Sequence, residues 1–393
     1  MDADAARLAT APEVLSLVDS IGAYHAADPL SQSQRLRAQG LDAATVAAVL
    51  TQARLRQSAV TKFGEQAHRM AFTQDGVEQA TRREVAALHA QRFADAGITS
   101  VADLTCGIGA DAMAMASHGL EVTAFDKDEA TAIIAAFNLR PWSNAHVHCA
   151  DAMAAAAAGT IDAEGIFADP ARRAGGNRRH DPRDYLPPLD DILALRTRHT
   201  AVGIKVGPAL DHTAIPAGVE AQWVSVDGAV VEAGLWSGPL ARRAGHSALV
   251  IAHGEVHVLD ADPIPGEVGS LGTYVMEPDG AVIRAGLVGP LAERLNAHLV
   301  APSIAYLTAD AVLPTTFARA YRVLEVLPLK PKTIAAALRA RGVGTVTIKK
   351  RGVDITPEAL RPQLKLAGPE QATVILTRIG TQRRALLVEP VDR

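Results

Sequence analysis

The stretch Val101-Ala-Asp-Leu-Thr-Cys-Gly-Ile-Gly-Ala-Asp111 runs from an apolar segment into two glycines and on into an alanine-rich segment. Gly107 and Gly109 permit positive φ, so a ligand can lie against bare backbone where a helix begins. Gly107 to Ala112 satisfies the dinucleotide pattern GxGxx(G/A), and glycines alone do not separate a nicotinamide dinucleotide from another nucleotide cofactor. Three carboxylates do. Asp103 precedes the glycines, where it can accept from an ammonium or a hydroxyl and would repel a pyrophosphate. Asp126 closes the next apolar run and can take both hydroxyls of a ribose, and Asp151 follows the third run and can accept from an adenine amine. Thr105, Cys106, Asp111, Lys127 and Ala152 complete the candidate cofactor set. An adenosine carrying an amino acid fits these carboxylates better than two phosphates do; S-adenosylmethionine is such a molecule.

A fourth apolar run ends in Gly165-Ile-Phe-Ala-Asp-Pro-Ala-Arg-Arg173. A methyl held on a sulfonium is already a strong electrophile, so the protein has to position the acceptor and, where needed, deprotonate it. Asp169 is assigned to acceptor orientation and Pro170 to fixing its backbone. Five arginines follow within residues 172–183. Arg172, Arg173, Arg178 and Arg179 offer forked donors for phosphates on a loop loosened by Gly175-Gly176, with salt bridges to Asp181 and Asp184 as the alternative use. Lys205, in Gly203-Ile-Lys-Val-Gly-Pro208, ends a fifth run and can face the acceptor. Covalent C5-pyrimidine chemistry needs a cysteine near the fourth or later runs. The two cysteines, Cys106 and Cys149, lie elsewhere and read as packing residues. His146 and His148 share one face of a strand but lack further ligands, so no metal is expected.

These residues need a sheet whose strands end on one edge. Short β-branched runs at Ser100–Leu104, Glu121–Phe125, Ala145–Cys149, Gly165–Ala168 and Ala201–Val206 alternate with helical stretches, the mark of βαβ units. Asp227-Gly228 then predicts a hairpin between Trp223–Val226 and Ala229–Ala233, and a second turns near His253-Gly254. Residues 1–98 read as helical, and 260–285 as a Pro- and Gly-rich linker. Helices are predicted over Ala281–Leu299, Thr333–Arg341 and Pro357–Leu364, the last capped by Thr356, and strands at Thr345–Lys349, Ala372–Thr377 and Ala385–Val388. The expected organisation is a helical region (1–98), a cofactor-binding α/β domain (99–260), a linker with a helical connection (261–316) and a small basic α/β domain (317–393).

Composition bounds the rest. The chain has 393 residues, 48% of them hydrophobic and only 4% aromatic, so aliphatic and alanine packing must fill the core. Two cysteines fit a reducing compartment. The acidic start and the absence of an apolar run near the length of a membrane span give the expectation of a soluble, cytoplasmic protein with no membrane partner. The net charge of −4 hides an asymmetry: residues 317–393 hold 15 Lys+Arg against 6 Asp+Glu, and the remainder 24 against 37. One end is suited to a polyanion.

The DLTCGIGAD loop, Asp126 in VTAFDKD and Asp151-Ala152 resemble the cofactor motifs of class I S-adenosylmethionine-dependent methyltransferases. The resemblance implies a Rossmann-like seven-stranded sheet finished by an antiparallel hairpin, with Asp103 and the glycine loop at the methionine end, Asp126 at the ribose and Asp151 at the adenine. Asp169-Pro170 matches half of the Asp/Asn-Pro-Pro-aromatic motif of nucleic-acid amino methyltransferases; Ala171-Arg172 departs from it. Lys62-Phe-Gly, Glu78-Gln-Ala-Thr81, the segment Tyr274–Gly286, Phe317–Leu324, Thr347–Asp354 and Val374–Gly380 resemble a bacterial methyltransferase family with a C-terminal THUMP-like domain. THUMP domains bind structured RNA, so the resemblance implies a tRNA or rRNA substrate, with Lys349, Lys350 and Arg351 as phosphate contacts. The competing readings are a methyltransferase acting on a protein or small molecule, and a non-catalytic RNA-binding protein with a vestigial cofactor site.

Overall fold

The computed structural model describes the whole chain except residues 22–23, 25–28, 172, 175–176, 179–180 and 392–393, and leaves the side chains of 29, 173–174 and 177–178 undescribed. It divides into two compact units, Met1–Val206 with Leu235–Arg242, and Gly207–Gly234 with Arg243–Arg393.

The first unit opens with helices α1 (Ala3–Ala9), α2 (Pro12–Ile21), α3 (Pro29–Ala38) and α4 (Ala43–Phe63). Asp42 caps α4 by accepting from Thr45 N at 2.8 Å, and Gly64 at φ +56° ends it. Val46, Val49 and Ala53 of α4 pack with Val14, Val18 and Leu36 into a small apolar cluster. After α5 (Gln74–Gln79) and α6 (Arg83–Asp95), the alternating pattern begins with β1 (Ser100–Asp103), α7 (Ala110–Ser117), β2 (Glu121–Asp126), α8 (Glu129–Leu139), β3 (Ala145–Cys149), α9 (Ala152–Ala157), β4 (Gly165–Ala168) and β5 (Ala201–Val206).

The parallel ladders set the order β5-β4-β1-β2-β3. Asp103 lies level with Ala124 of β2 and Phe167 of β4, and Asp126 with Cys149. Every strand therefore ends on one edge, where parallel α/β sheets bind ligands. Beneath β4 and β5 the packing leaves no room for a side chain. A Cβ on Gly203 would stand 2.6 Å from the Trp236 ring, and one on Gly165 would stand 2.8 Å from Phe93.

In the second unit, β6 (Glu220–Val226) and β7 (Ala229–Trp236) meet through Asp227 (φ +47°) and Gly228 (φ +81°), the paired positive φ of a type I′ turn. The last two residues of β7 belong to the first unit, where Ser237 donates its N–H and hydroxyl to Val202 O at 3.0 and 2.9 Å. Two strands extend the expected seven: β8 (Gly245–Ala252) runs parallel to β6, and β9 (Glu255–Ala261) returns antiparallel through His253 and Gly254.

A second sheet takes in β10 (Tyr274–Pro278), β11 (His298–Leu299), β12 (Leu307–Ala309), β13 (Ala318–Pro328), β14 (Val343–Lys350), β15 (Glu370–Ile379) and β16 (Gln382–Pro390), in the order β11-β12-β10-β13-β16-β15-β14. Three of its strands come from the stretch that reads as linker and helix. Their signal is lost among Pro and Gly, because β10 is only five residues long and abuts Asp279-Gly280. The sequence pattern also misses β13, whose alternation is broken by a bulge between Val323 and Glu325. Helices Pro331–Ala340 and Pro357–Leu364 cover one face over Leu327, Val346, Val374 and Leu387. The other face encloses Val275, Tyr306, Tyr321 and Ile375. The sheet curls around this second cluster far enough that Lys349 on its edge strand reaches Glu277 of β10 at 2.6 Å.

Candidate active site

The glycine loop is shaped by its own backbone and by three side chains from elsewhere. Gly107 sits at φ +54° and Gly109, the residue preceding α7, at φ +91°. Asn138 of α8 donates to Ile108 O at 2.9 Å and brackets Ala71, donating to its carbonyl at 3.0 Å and accepting from its N–H at 2.8 Å. Gln52 brackets Phe72 in the same manner at 2.8 and 2.9 Å, and Arg56 Nε donates to Met70 O at 2.9 Å. The segment 70–72 is thereby pinned, and the turn of α5 that follows lies so close that a Cβ on Gly76 would stand 2.4 Å from the Ile108 side chain.

The three carboxylates of the sequence pattern have different environments. Asp103 is 1% exposed; burial, helped by the nearby Asp111 charge, pushes its carboxyl well above the ordinary carboxylate range. It accepts from Thr105 N at 3.2 Å. Asp126 accepts from Gly107 N at 3.2 Å and Asp128 N at 2.9 Å, and burial raises its carboxyl as well. Lys127 beside it is exposed. Asp151 caps α9, its Oδ1 accepting from Met153 N at 2.9 Å and Ala154 N at 3.2 Å, and Ala152 is buried behind it. Cys106 is buried with its thiol near Gly107 O, and burial pushes that thiol up.

Asp111 lies at the start of α7 but turns inward. Thr81 donates to its Oδ2 at 2.6 Å and His89 Nδ1 lies 2.8 Å from its Oδ1. Burial alone would raise Asp111; the His89 bond and charge, Lys205 and Thr81 outweigh it and hold the carboxyl below its ordinary value. The His89 ring packs between Phe167 and Trp236 at centroid distances of 5.3 and 5.5 Å.

Where β4 and β5 end, Lys205 Nζ donates to Asp169 Oδ2 at 2.5 Å and to Thr81 Oγ1 at 2.8 Å. The Asp169 N–H donates to Thr105 Oγ1 at 2.6 Å, which ties this edge to the glycine loop. Lys205 is buried and Asp169 a quarter exposed, so the carboxylate faces outward on a buried cation. Lys62, at the end of α4, donates to Glu78 O at 2.6 Å and Ala80 O at 2.9 Å and so holds the end of α5 and the turn leading into Thr81. Lys62 and Thr81 enter the sequence pattern only as family markers, and His89 not at all; nothing in local sequence tells which distant strand they will face.

The remaining expected contacts divide. Arg172 and Arg179 lie outside the described residues. The backbones of Arg173 and Arg178 pair in a two-residue antiparallel ladder, their side chains being outside the described set. Lys349 pairs with Glu277, Arg351 lies 3.9 Å from the same carboxylate and over the Tyr306 ring, and Lys350 is exposed. Among the described residues no three His, Cys, Asp or Glu side chains gather to hold a metal ion, and no helix is long and apolar enough to cross a membrane.

This arrangement fits S-adenosylmethionine. The loop offers open backbone, since a Cβ on Gly107 would meet nothing within 4 Å. Carboxylates stand at the ends of β1 and β2, where an ammonium and a ribose need acceptors. Comparison with known proteins agrees. Residues 318–390 match a model described as THUMP domain-like, and 3–59 match a domain of unknown function. An uncharacterized S-adenosylmethionine-dependent methyltransferase, found in two strains of Mycobacterium tuberculosis, is 34% identical over 335 residues, which is 83% of this chain and 91% of the relative. The crystal structure of a candidate methyltransferase from Porphyromonas gingivalis W83 shares the fold at 20% identity, with a TM-score of 0.76 over 97% of this chain and 98% of that one. The chain belongs to the S-adenosylmethionine-dependent methyltransferases, and S-adenosylmethionine is its cofactor.

Proposed function

We propose that this methyltransferase acts on a structured RNA, tRNA or rRNA, and that the basic C-terminal region presents it. The observation that carries the reading is the THUMP-like match over 318–390 falling on the segment that holds 15 Lys+Arg against 6 Asp+Glu. Lys349 and Arg351 are engaged with Glu277, so Lys350 is the phosphate contact of the expected three, joined by the exposed Lys330, Lys332 and Lys365. In the site, Asp103 and the Thr105–Gly109 loop would take the methionine end, Asp126 the ribose and the Asp151-Ala152 turn the adenine edge. Bound there, the cofactor supplies an electrophilic methyl. Asp169, fixed by Lys205 and by the Thr105 hydroxyl, orients the acceptor, and Pro170 limits the backbone that carries it.

The test is to incubate the full-length protein and labelled S-adenosylmethionine with total RNA from a strain lacking the gene. Label in a single RNA species is expected. Label in protein or small molecules alone overturns the RNA reading. Charge removal at Lys330, Lys332 and Lys350 should lower the slope of log affinity against log salt by about 0.7–0.9 for each phosphate no longer neutralised.

A further inference from the structure

We propose that the acceptor is a hydroxyl, the 2′-hydroxyl of a ribose in that RNA, and that Lys62 takes its proton. This rests on the RNA reading above and adds the acceptor atom to it.

The two common acceptors in RNA make different demands. An amine or ring nitrogen brings its own lone pair, and for a base amine the matching site supplies an acceptor and a stacking surface. A ribose hydroxyl is a weak nucleophile and gains from a base that removes its proton as the new bond forms. Asp169-Pro170-Ala171-Arg172 carries an arginine, not an aromatic ring, at the position where the motif's stacking residue would stand. Asp169 is committed on one oxygen to a buried ammonium. What the edge does contain is a second lysine.

Lys62 Nζ is held by two backbone carbonyls, Glu78 O at 2.6 Å and Ala80 O at 2.9 Å. A neutral amine has two N–H donors and one lone pair. Two carbonyl acceptors use both donors, and the third tetrahedral position is left as the lone pair. In the neutral form, the two carbonyls fix rotation about the terminal bond and so set the direction of the lone pair. Two of its four charged neighbours add to burial in favouring the neutral amine. Burial, then Lys205 and Arg82, disfavour the ammonium; Glu78 and Asp169 oppose them, and the group is lowered to about 8. Lys62 also stands at the reacting edge: Ala80, which it holds, precedes Thr81, whose hydroxyl accepts from Lys205, which in turn holds Asp169.

In the step, the hydroxyl oxygen bonds to the methyl carbon as the carbon–sulfur bond breaks with its electron pair on sulfur. The hydroxyl proton passes to Lys62 Nζ and then to solvent. Lys205 keeps its proton and holds Asp169 throughout.

Three measurements test this. Competitive acetylation of the full-length protein without cofactor, read by mass spectrometry from pH 6 to 10, is expected to show Lys62 titrating near 8, apart from surface lysines near about 10.4. Lys62→Arg, which keeps the charge and can still donate to both carbonyls, should lose about 10²–10⁴-fold in kcat. Its cofactor affinity by calorimetry and its melting temperature should be unchanged. Nuclease digestion of RNA methylated by the wild type should yield a 2′-O-methyl nucleoside. Full activity in Lys62→Arg, or titration of Lys62 with the surface lysines, overturns the role of Lys62. A methyl on a base nitrogen or carbon overturns the hydroxyl acceptor while the RNA reading stands, whereas unlabelled RNA overturns both.

Discussion

Thr81 and Lys205 are 124 residues apart in sequence, and the Lys205 ammonium donates to the Thr81 hydroxyl at 2.8 Å. That hydroxyl in turn donates to Asp111 at 2.6 Å, so one buried oxygen joins the start of α7 to the cation that anchors Asp169. The helical region before β1 thereby shares one buried hydrogen-bond network with α7 and the ends of β4 and β5.

Replacing Thr81 by valine keeps the shape and removes the link. Lys205 then loses an acceptor and Asp111 a donor inside the protein, at a cost of about 1–3 kcal/mol. Thr81→Val should therefore melt at a lower temperature. It should also turn over about 10²-fold more slowly, since a misplacement near 1 Å at the reacting groups costs that much. Thr81→Ser restores the hydroxyl and should recover most of the rate, which steady-state kinetics would show; a serine variant as slow as valine would argue that the methyl group matters instead.

Asp126 carries a separate expectation. Its carboxylate is positioned by Gly107 N and Asp128 N at the end of β2, where a ribose diol would add two charge-assisted bonds. Hydrogen bonds to a charged group contribute about 1.5–3 kcal/mol each, so Asp126→Ala should weaken S-adenosylmethionine by at least about 10²-fold in calorimetry. Binding within threefold of wild type would place the ribose elsewhere.

Much of this site is legible in sequence because strand ends are. The five parallel strands fall within a residue of where their apolar runs put them, and the carboxylates at the ends of the first four, Asp103, Asp126, Asp151 and Asp169, must then stand on the ligand edge. Side chains that reach the site from α4, α6 and the turn before α6 carry no such mark. His89 sits in an amphipathic helix like any core histidine, and only the packing of α6 beneath β4 aims it at Asp111. Asp111 illustrates the converse: a residue inside a cofactor motif whose side chain the fold uses internally. In the C-terminal region the basic run Lys349-Lys350-Arg351 reads as one phosphate-binding surface, yet strand alternation sends only Lys350 outward while the curl of the sheet gives its neighbours Glu277.

The pH dependence of stability should carry the mark of Asp103. Its carboxyl is raised well above the ordinary 3.8 by burial and by Asp111. For an acid raised in the folded state, the native form binds more protons than the unfolded chain above that ordinary value, so stability falls as pH rises toward the folded value and levels off beyond it. Asp103→Asn removes the charge at constant shape. Thermal melts without cofactor should show the variant close to wild type at pH 4 and more stable at pH 8, with weaker S-adenosylmethionine binding at both. A variant less stable than wild type at pH 8 would mean that the charged carboxylate is held by partners stronger than its burial.

Asn138 gives the sharpest distinction between filling space and bonding. It is 2% exposed and serves Ala71 N, Ala71 O and Ile108 O at 2.8, 3.0 and 2.9 Å, so it fastens the glycine loop to the pinned segment 70–72. Truncation to alanine strands three backbone groups, each worth about 1–3 kcal/mol when left buried and unpaired, although water entering the gap will recover part. Asn138→Asp keeps the size and the acceptor for Ala71 N but presents carboxylate oxygens to two carbonyls, which adds repulsion to the missing donors. The aspartate should therefore be the less stable of the two variants at pH 7 despite being nearly isosteric. Its deficit should shrink toward pH 4, where protonation restores one donor. Melts of both proteins across that range, with S-adenosylmethionine affinity measured alongside, separate the cases: equal losses at every pH would show that Asn138 acts through its volume, and an aspartate deficit that closes on acidification would show that its two donated bonds hold the loop in its cofactor-binding shape.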